Sequence, residues 1–284
     1  MSRVTFEQLL EAGAHFGHLR RKWNPAMAPY IFMERNDIHI IDLHKTVAKI
    51  DEAAEALKKM AQNGKTVLFV ATKKQAKEAV AELAQAASMP YVVERWPGGM
   101  LTNFPTIRKA VKKMDTIDKM TSDGTFDNLS KREKLQINRQ RAKLETTLGS
   151  IASMKRLPSA LFVIDVMKEH IAVREANRLG IPVFGIVDTN SDPSNIDYMI
   201  PANDDSTKAI EVILGAMVEA IKEGATERKI EKQDDENNEE AAPRRERRAR
   251  TGGVRRERTK KEDSDAMNAR VAEKFQKASE DNEE

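Results

Sequence analysis

The chain has no cysteine in its 284 residues. That excludes a disulfide framework, Cys-ligated zinc and a thiol nucleophile, and it suits a reducing compartment. Aromatic residues are scarce as well, 5% of the chain with only two tryptophans, so each Trp marks a position where a large ring has something particular to do. Long apolar runs are missing. Stretches such as Val67 to Ala71 and Leu161 to Ile164 fall far short of the roughly 20 residues that a bilayer span needs. The N-terminal residues carry no signal-peptide apolar segment, and the expectation is a soluble cytoplasmic protein with no membrane role. No nucleophile elbow, G-x-G-x-x-G fingerprint or compact metal-ligand cluster occurs. Gly64-Lys65-Thr66 imitates a phosphate loop but precedes its strand, and Lys59 stands where the first glycine is required.

What the chain does have is charge, unevenly placed. The net value is +3 over the whole sequence. Residues 105 to 156 alone hold 13 Lys/Arg against 6 Asp/Glu, whereas residues 157 to 225 hold 5 against 11. A basic segment set beside an acidic one predicts that a polyanion meets one side of the molecule.

Hydrophobic periodicity outlines the organisation. Thr5 and Gln8 form a capping-box pattern ahead of a short helix closed at Gly13. Ile31-Phe32-Met33 and Ile38-His39-Ile40-Ile41 read as strands around an Asn36-Asp37 turn, and Asp42 caps a long helix through Leu43, Val47, Ile50, Ala54, Leu57 and Ala61. Thr66 to Ala71 is an unbroken apolar strand, and Thr72 with Gln75 is placed to cap the next helix. After Pro158 the rhythm is strand (Ala160 to Ile164), helix (Ala172, Ala176, Leu179, then Gly180), strand (Val183 to Val187), a short strand at Tyr198-Met199-Ile200, and a last helix from Asp205 or Ser206 to Gly224. Strand, crossover helix, strand at this spacing implies parallel pairing with right-handed connections. Between the halves, Pro105 and a Ser130/Glu133 capping box open two helices with narrow apolar seams, an antiparallel hairpin. The expected organisation is an α/β core from residues 1–104 and 157–225, a protruding basic hairpin at 105–156 and a charged tail at 226–284. In that tail 33 of 59 residues are charged, too polar to bury a core and expected to be disordered.

Three stretches carry the candidate contacts. Glu94 to Asn103 joins Arg95 and Trp96 to Pro97 and two adjacent glycines, a loop suited to meeting another chain; the other reading is a tight turn with Trp96 buried. His15 to Pro25 reads as a loop in which Arg20, Arg21 and Lys22 sit next to Trp23, cations for phosphates beside a ring for bases, or simply a solvated loop. The hairpin face presents Arg108, Lys109, Lys112, Lys113, Lys131, Arg132, Arg139 and Arg141. Lys73 and Lys74 lie past the carboxyl end of a strand, where doubly wound folds bind ligands, and have a solvated helix start as their alternative. His15 and His18, with His39, His44 or Asp42, are weak metal candidates without cysteine or a third ligand at short spacing; no metal and no cofactor is expected.

Several patches resemble the bacterial small-subunit ribosomal protein S-two family: HFGH with RKWNPAMAPYIFMERN and HIIDLHKT, VLFVATKKQA, ERWPGGMLTNFPTIRKAVKKM, and the block from PSALFVIDV to MIPAND. They cover nearly all of residues 1 to 225. The resemblance implies a Rossmann/flavodoxin-like parallel sheet flanked by helices, an inserted coiled-coil hairpin and no catalytic activity. It further implies a seat on small-subunit ribosomal RNA at the head-body junction, neighbouring small-subunit proteins as partners, and docking of the large mRNA-binding protein S-one. The charged extension departs from the shorter family pattern.

Two rival readings stay open on the residues alone. Asp165 and Asp188 end strands where an α/β enzyme or a nucleotide or sugar-phosphate sensor keeps its polar groups, with Lys73 nearby. Alternatively, the acidic region from 157 to 225 and the Trp loops form a platform for a protein neighbour.

Overall fold

The computed structural model describes residues 2–241. The uninterrupted apolar runs become β4 (Val67–Val70), β6 (Ala160–Ile164) and β7 (Val183–Val187), buried at every position, as strands covered on both faces must be. With β5 (Tyr91–Val92) and β8 (Tyr198–Pro201) they form a five-stranded, wholly parallel sheet in the order β5-β4-β6-β7-β8. In this order β5 and β6 lie on opposite sides of β4, so the strand order reverses between β4 and β6, which makes their carboxyl ends the natural crevice. Register sets Phe69 beside Phe162 and Phe162 beside Phe184 on one face, and each buried ring contributes about 1.5–3 kcal/mol. Helices α2 (Leu43–Gln62), α3 (Lys74–Ala86) and α7 (Thr207–Ala241) cover that face. Leu68, Val70, Leu161 and Val163 point the other way, toward α6 (His170–Arg178) and the loop around Trp96.

Local signals explain most helix starts. The capping box of Thr5 and Gln8 opens α1 (Phe6–Glu11), Asp42 accepts from the His44 N–H at 3.1 Å to open α2, and Ser130 and Glu133 form the box that opens α5 (Lys131–Leu148). Ser206 caps α7 by accepting from the Ala209 N–H at 3.4 Å. The expected Thr72–Gln75 cap does not form, because both the N–H and the hydroxyl of Thr72 donate to Glu169 instead.

Residues 15–25 are not simply a loop. Phe16–Leu19 is strand β1, paired antiparallel with β3 (Ile38–Ile41), which also pairs with β2 (Ile31–Arg35) to give a second sheet in the order β1-β3-β2. Four residues holding a glycine and a histidine give no alternation to read. Gly17 is there for room, since a Cβ on it would lie 2.6 Å from the Thr189 methyl carbon and 2.9 Å from the His39 carbonyl oxygen. Asn36 and Asp37, with φ of +53° and +60°, form the two-residue turn between β2 and β3, the mirror-image geometry that matches strand twist.

Helix α4 (Phe104–Ser122) starts with Pro105 in its first turn and packs antiparallel to α5. Val111 near the start of α4 shares a core with Leu148 at the end of α5, while Asp118 near the far end of α4 pairs with Arg141 in the middle of α5. Helix α7 does not stop at Gly224. It runs to Ala241, past the expected helix end. Gly224 is a packing glycine, because a Cβ there would sit 2.3 Å from the Lys58 carbonyl oxygen of α2. The chain divides into two compact units, residues 1–228 and 229–284; the described part of the second, residues 229–241, is helical. The rest of the expected tail, with its arginine run from Arg244 to Arg258, lies outside the described residues. No helix among the described residues is long and apolar enough to cross a membrane.

Candidate nucleic-acid interface

The crevice at the carboxyl ends of the parallel strands is filled by the protein's own charges. Lys73, which follows β4, reaches Asp204 at 2.8 Å, Asp205 at 2.7 Å and Asp165 at 3.4 Å, with its side chain only 11% exposed. Burial alone would lower the Lys73 pKa; the carboxylates of Asp204 and Asp205 more than reverse this, so the ammonium stays charged. Asp204 is pushed up to about 7 by burial and by the neighbouring carboxylates of Asp188 and Asp165. At the start of α3, where a doubly wound fold would place a ligand's phosphate, the Glu169 carboxylate accepts from the Thr72 N–H at 2.8 Å. Lys168 Nζ donates to the Thr72 carbonyl at 3.0 Å. An internal anion thus occupies the phosphate position, and burial raises the Glu169 pKa despite the Thr72 hydrogen bonds.

Of the two histidines considered for metal, only His18 reaches this cluster. Gly17 lets β1 run against the residues after β7. The His18 N–H then donates to Thr189 Oγ1 at 2.8 Å, and Nδ1 lies 3.0 Å from Asp188 Oδ2. The pairing with Asp188 raises the His18 pKa against the effect of burial. Ligand atoms of His18, Asp188 and Asp204 lie within 4.8 Å of one another, and among the described residues the buried Asp204 Oδ2 has no hydrogen-bond partner. One imidazole and two carboxylates this close could hold a small divalent cation, in competition with Lys73 for Asp204. His15, His39, His44 and Asp42 are not part of the cluster. His15 packs on Phe16 with ring centroids 4.0 Å apart, and burial lowers its pKa.

Trp96 is a correction. Its indole is 7% exposed and its Nε1–H donates to Glu175 Oε1 at 3.2 Å, so it offers no stacking face to a base. Glu175 is the centre of this loop. Oε1 also accepts from the Gly99 N–H at 2.7 Å, and Oε2 accepts from the Leu101 N–H at 2.9 Å and from the Thr102 N–H and hydroxyl, each at 3.1 Å. Burial works against that carboxylate, but the backbone N–H groups of Thr102, Gly99 and Leu101 outweigh it and hold its pKa below the usual 4.5. Sequence reasoning missed Glu175, although a signal was there: it lies on the stripe Ala172, Ala176, Leu179, a charge where an apolar residue is expected.

Four more expected contacts have intramolecular partners. Lys73 is committed to its carboxylates. Arg108 donates to the carbonyls of Ala152 at 3.3 Å and Met154 at 3.0 Å, which ties α4 to the chain leaving α5. Arg141 is held by Asp118 and Glu145, and Arg20 pairs with Glu34 at 3.3 Å while keeping most of its surface exposed. Arg21, Lys22, Lys74, Arg95, Lys109, Lys112, Lys113, Lys131, Arg132 and Arg139 are exposed, and among the described residues none of them has an ion-pair partner. Trp23 is 36% exposed and stands against the His39 ring, centroids 5.2 Å apart.

The chain is a parallel α/β scaffold whose carboxyl-end crevice is closed by internal salt bridges, and the cations that lack an ion-pair partner among the described residues lie on loops and a helical hairpin. The comparisons specify the class further: the chain belongs to the ribosomal protein S2 family, whose model matches residues 9–224. It is 76% identical over 277 residues to the small ribosomal subunit protein uS2 of Parabacteroides distasonis, covering 98% of this chain and 99% of that relative. The proteins of the same name from Porphyromonas gingivalis and Bacteroides thetaiotaomicron are 82% identical over 232 residues and 79% identical over 234, each covering 82% of this chain and 83% and 84% of the relative. Each match is longer than the 225 residues that precede the charged extension, so each enters it, and the Parabacteroides match covers most of it.

Proposed function

We propose that this chain is a structural constituent of the small ribosomal subunit, seated on small-subunit ribosomal RNA at the head-body junction and found with ribosomes in the cytoplasm. The observation that carries the reading is the set of cations on α4, α5 and the turn after β1, Lys112, Lys113, Arg132, Arg139 and Arg21 among them, that have no ion-pair partner among the described residues, in a chain whose relatives are named as small-subunit proteins. Phosphate contacts from such residues fix position without reading sequence, so the fold of the RNA supplies the specificity. Neighbouring small-subunit proteins are the other partners. Docking of the mRNA-binding protein S-one follows from the family resemblance, and apolar surface on β2 supports a protein contact, with Phe32 70% exposed.

The test is competitive incorporation into small subunits lacking the protein. Replacing Lys112, Lys113, Arg132 and Arg139 together with Ala lowers incorporation and reduces the slope of log affinity against log salt by about one for each phosphate that is no longer neutralised. Unchanged incorporation and slope would remove the hairpin as an RNA-binding element. Protein cross-links from β2 in the assembled particle, abolished when S-one is stripped, test the docking role.

A further inference from the structure

We propose that the concavity beside Trp23 is a seat for one unpaired guanine of an RNA, an inference that rests on the RNA-binding reading above and adds base recognition to it. The hollow has a volume of about 620 Å³ and is lined by Leu19, Arg20, Arg21, Trp23 and Asp37, ample for a nucleobase with its sugar. Its walls are fixed before any ligand arrives. The Arg20 N–H donates to the Asp37 carbonyl at 2.8 Å, joining the turn after β1 to the β2–β3 turn. The Trp23 N–H donates to the Arg20 carbonyl at 3.3 Å, and the next residue, Asn24, donates to the Thr189 carbonyl at 2.8 Å. The indole rests against His39 and keeps exposed surface toward the hollow.

The lining selects the ligand by chemistry. Trp23 supplies a stacking surface that every base can use. Arg21, exposed and without an ion-pair partner among the described residues, is free for the flanking phosphate. Asp37 makes the choice. A carboxylate only accepts hydrogen bonds, and guanine alone presents two adjacent donors, N1–H and the 2-amino group, on its Watson–Crick edge. Adenine and cytosine put an acceptor next to their donor, and uracil sets its donor between two acceptors, so each sets a repulsive atom against Asp37. A paired guanine has that edge already in use, which is why the base must be unpaired. The same carboxylate disfavours a bare phosphate in the hollow.

The experiment rebinds the full-length protein to small subunits lacking it and probes the RNA with kethoxal, which adds across N1 and N2 of unpaired guanines. At saturating protein, one guanine should lose reactivity by about tenfold or more. Asp37→Asn keeps a residue that tolerates the left-handed backbone of the turn but removes the double acceptor; the bound variant should leave that guanine reactive. Trp23→Ala should do the same and weaken binding by roughly tenfold or more. Wild-type protein that co-sediments with subunits yet protects no guanine, or protection unchanged in both variants, overturns the guanine seat and leaves RNA binding standing. Protection of an adenine from dimethyl sulfate in its place also overturns it. Failure to co-sediment at all overturns the proposed function and the seat together.

Discussion

The carboxyl-end crevice and the α4–α5 hairpin use the same residue types to opposite ends. In the crevice, Lys73 is surrounded by Asp165, Asp204 and Asp205 and almost withdrawn from water. On the hairpin, Lys112, Lys113 and Arg139 stand in solvent with no ion-pair partner among the described residues. The difference is one of dielectric. A buried cation without a carboxylate costs several kcal/mol, whereas an exposed one costs nothing and stays available to a phosphate. The crevice that this fold ordinarily opens to ligands has become structural, and the cations left in solvent lie on loops and the inserted helices.

The comparison breaks most visibly at Lys73. Replacing it with Met leaves Asp204 and Asp165 without a counter-charge, and urea denaturation should show a loss of about 3–5 kcal/mol; a loss no larger than that of a hairpin lysine would refute the distinction. Glu175→Gln comes next. It removes the charge that gathers the donors of Trp96, Gly99, Leu101 and Thr102, with an expected cost of about 1–3 kcal/mol. The Glu175 pKa is depressed in the folded state, so its contribution is complete above the unfolded value near 4.5 and fades as pH falls below it. The melting temperatures of the two proteins should therefore converge on acidification from pH 5 downward, and a constant gap would show that charge is not what Glu175 supplies. The smallest effect belongs to Lys112→Ala, within about 0.5 kcal/mol by the same denaturation, while its RNA affinity falls.

Much of this was legible in the residues. The buried runs of β4, β6 and β7, the caps at Thr5, Asp42 and Ser130, and the paired seams of α4 and α5 all act locally, and local signals survive into the fold. What could not be read depends on residues far apart in the chain. Phe16–Leu19 becomes a strand only because β3 lies beside it, and Thr72 gives up its cap to a glutamate 97 residues away. Gly224 looks like a helix stop, yet it is there so that α7 can pass α2, and the helix continues through a Glu-rich stretch to Ala241. In the candidate site the cations could be named as residue types, but sequence could not say which were already paired. Trp96, Arg108 and Arg141 owe their internal roles to partners that only the tertiary fold brings near.

The five hydrogen bonds gathered by Glu175 have a consequence for assembly. They tie the segment leading into α4 to α6, a helix on the far side of the hairpin in sequence. The base of the basic hairpin is thereby set within the folded chain, so if the hairpin docks as proposed, ordering that segment belongs to folding and not to docking. An arm that arrives already aimed gives up less entropy when it engages, and a single glutamate bears on how readily the chain joins its particle.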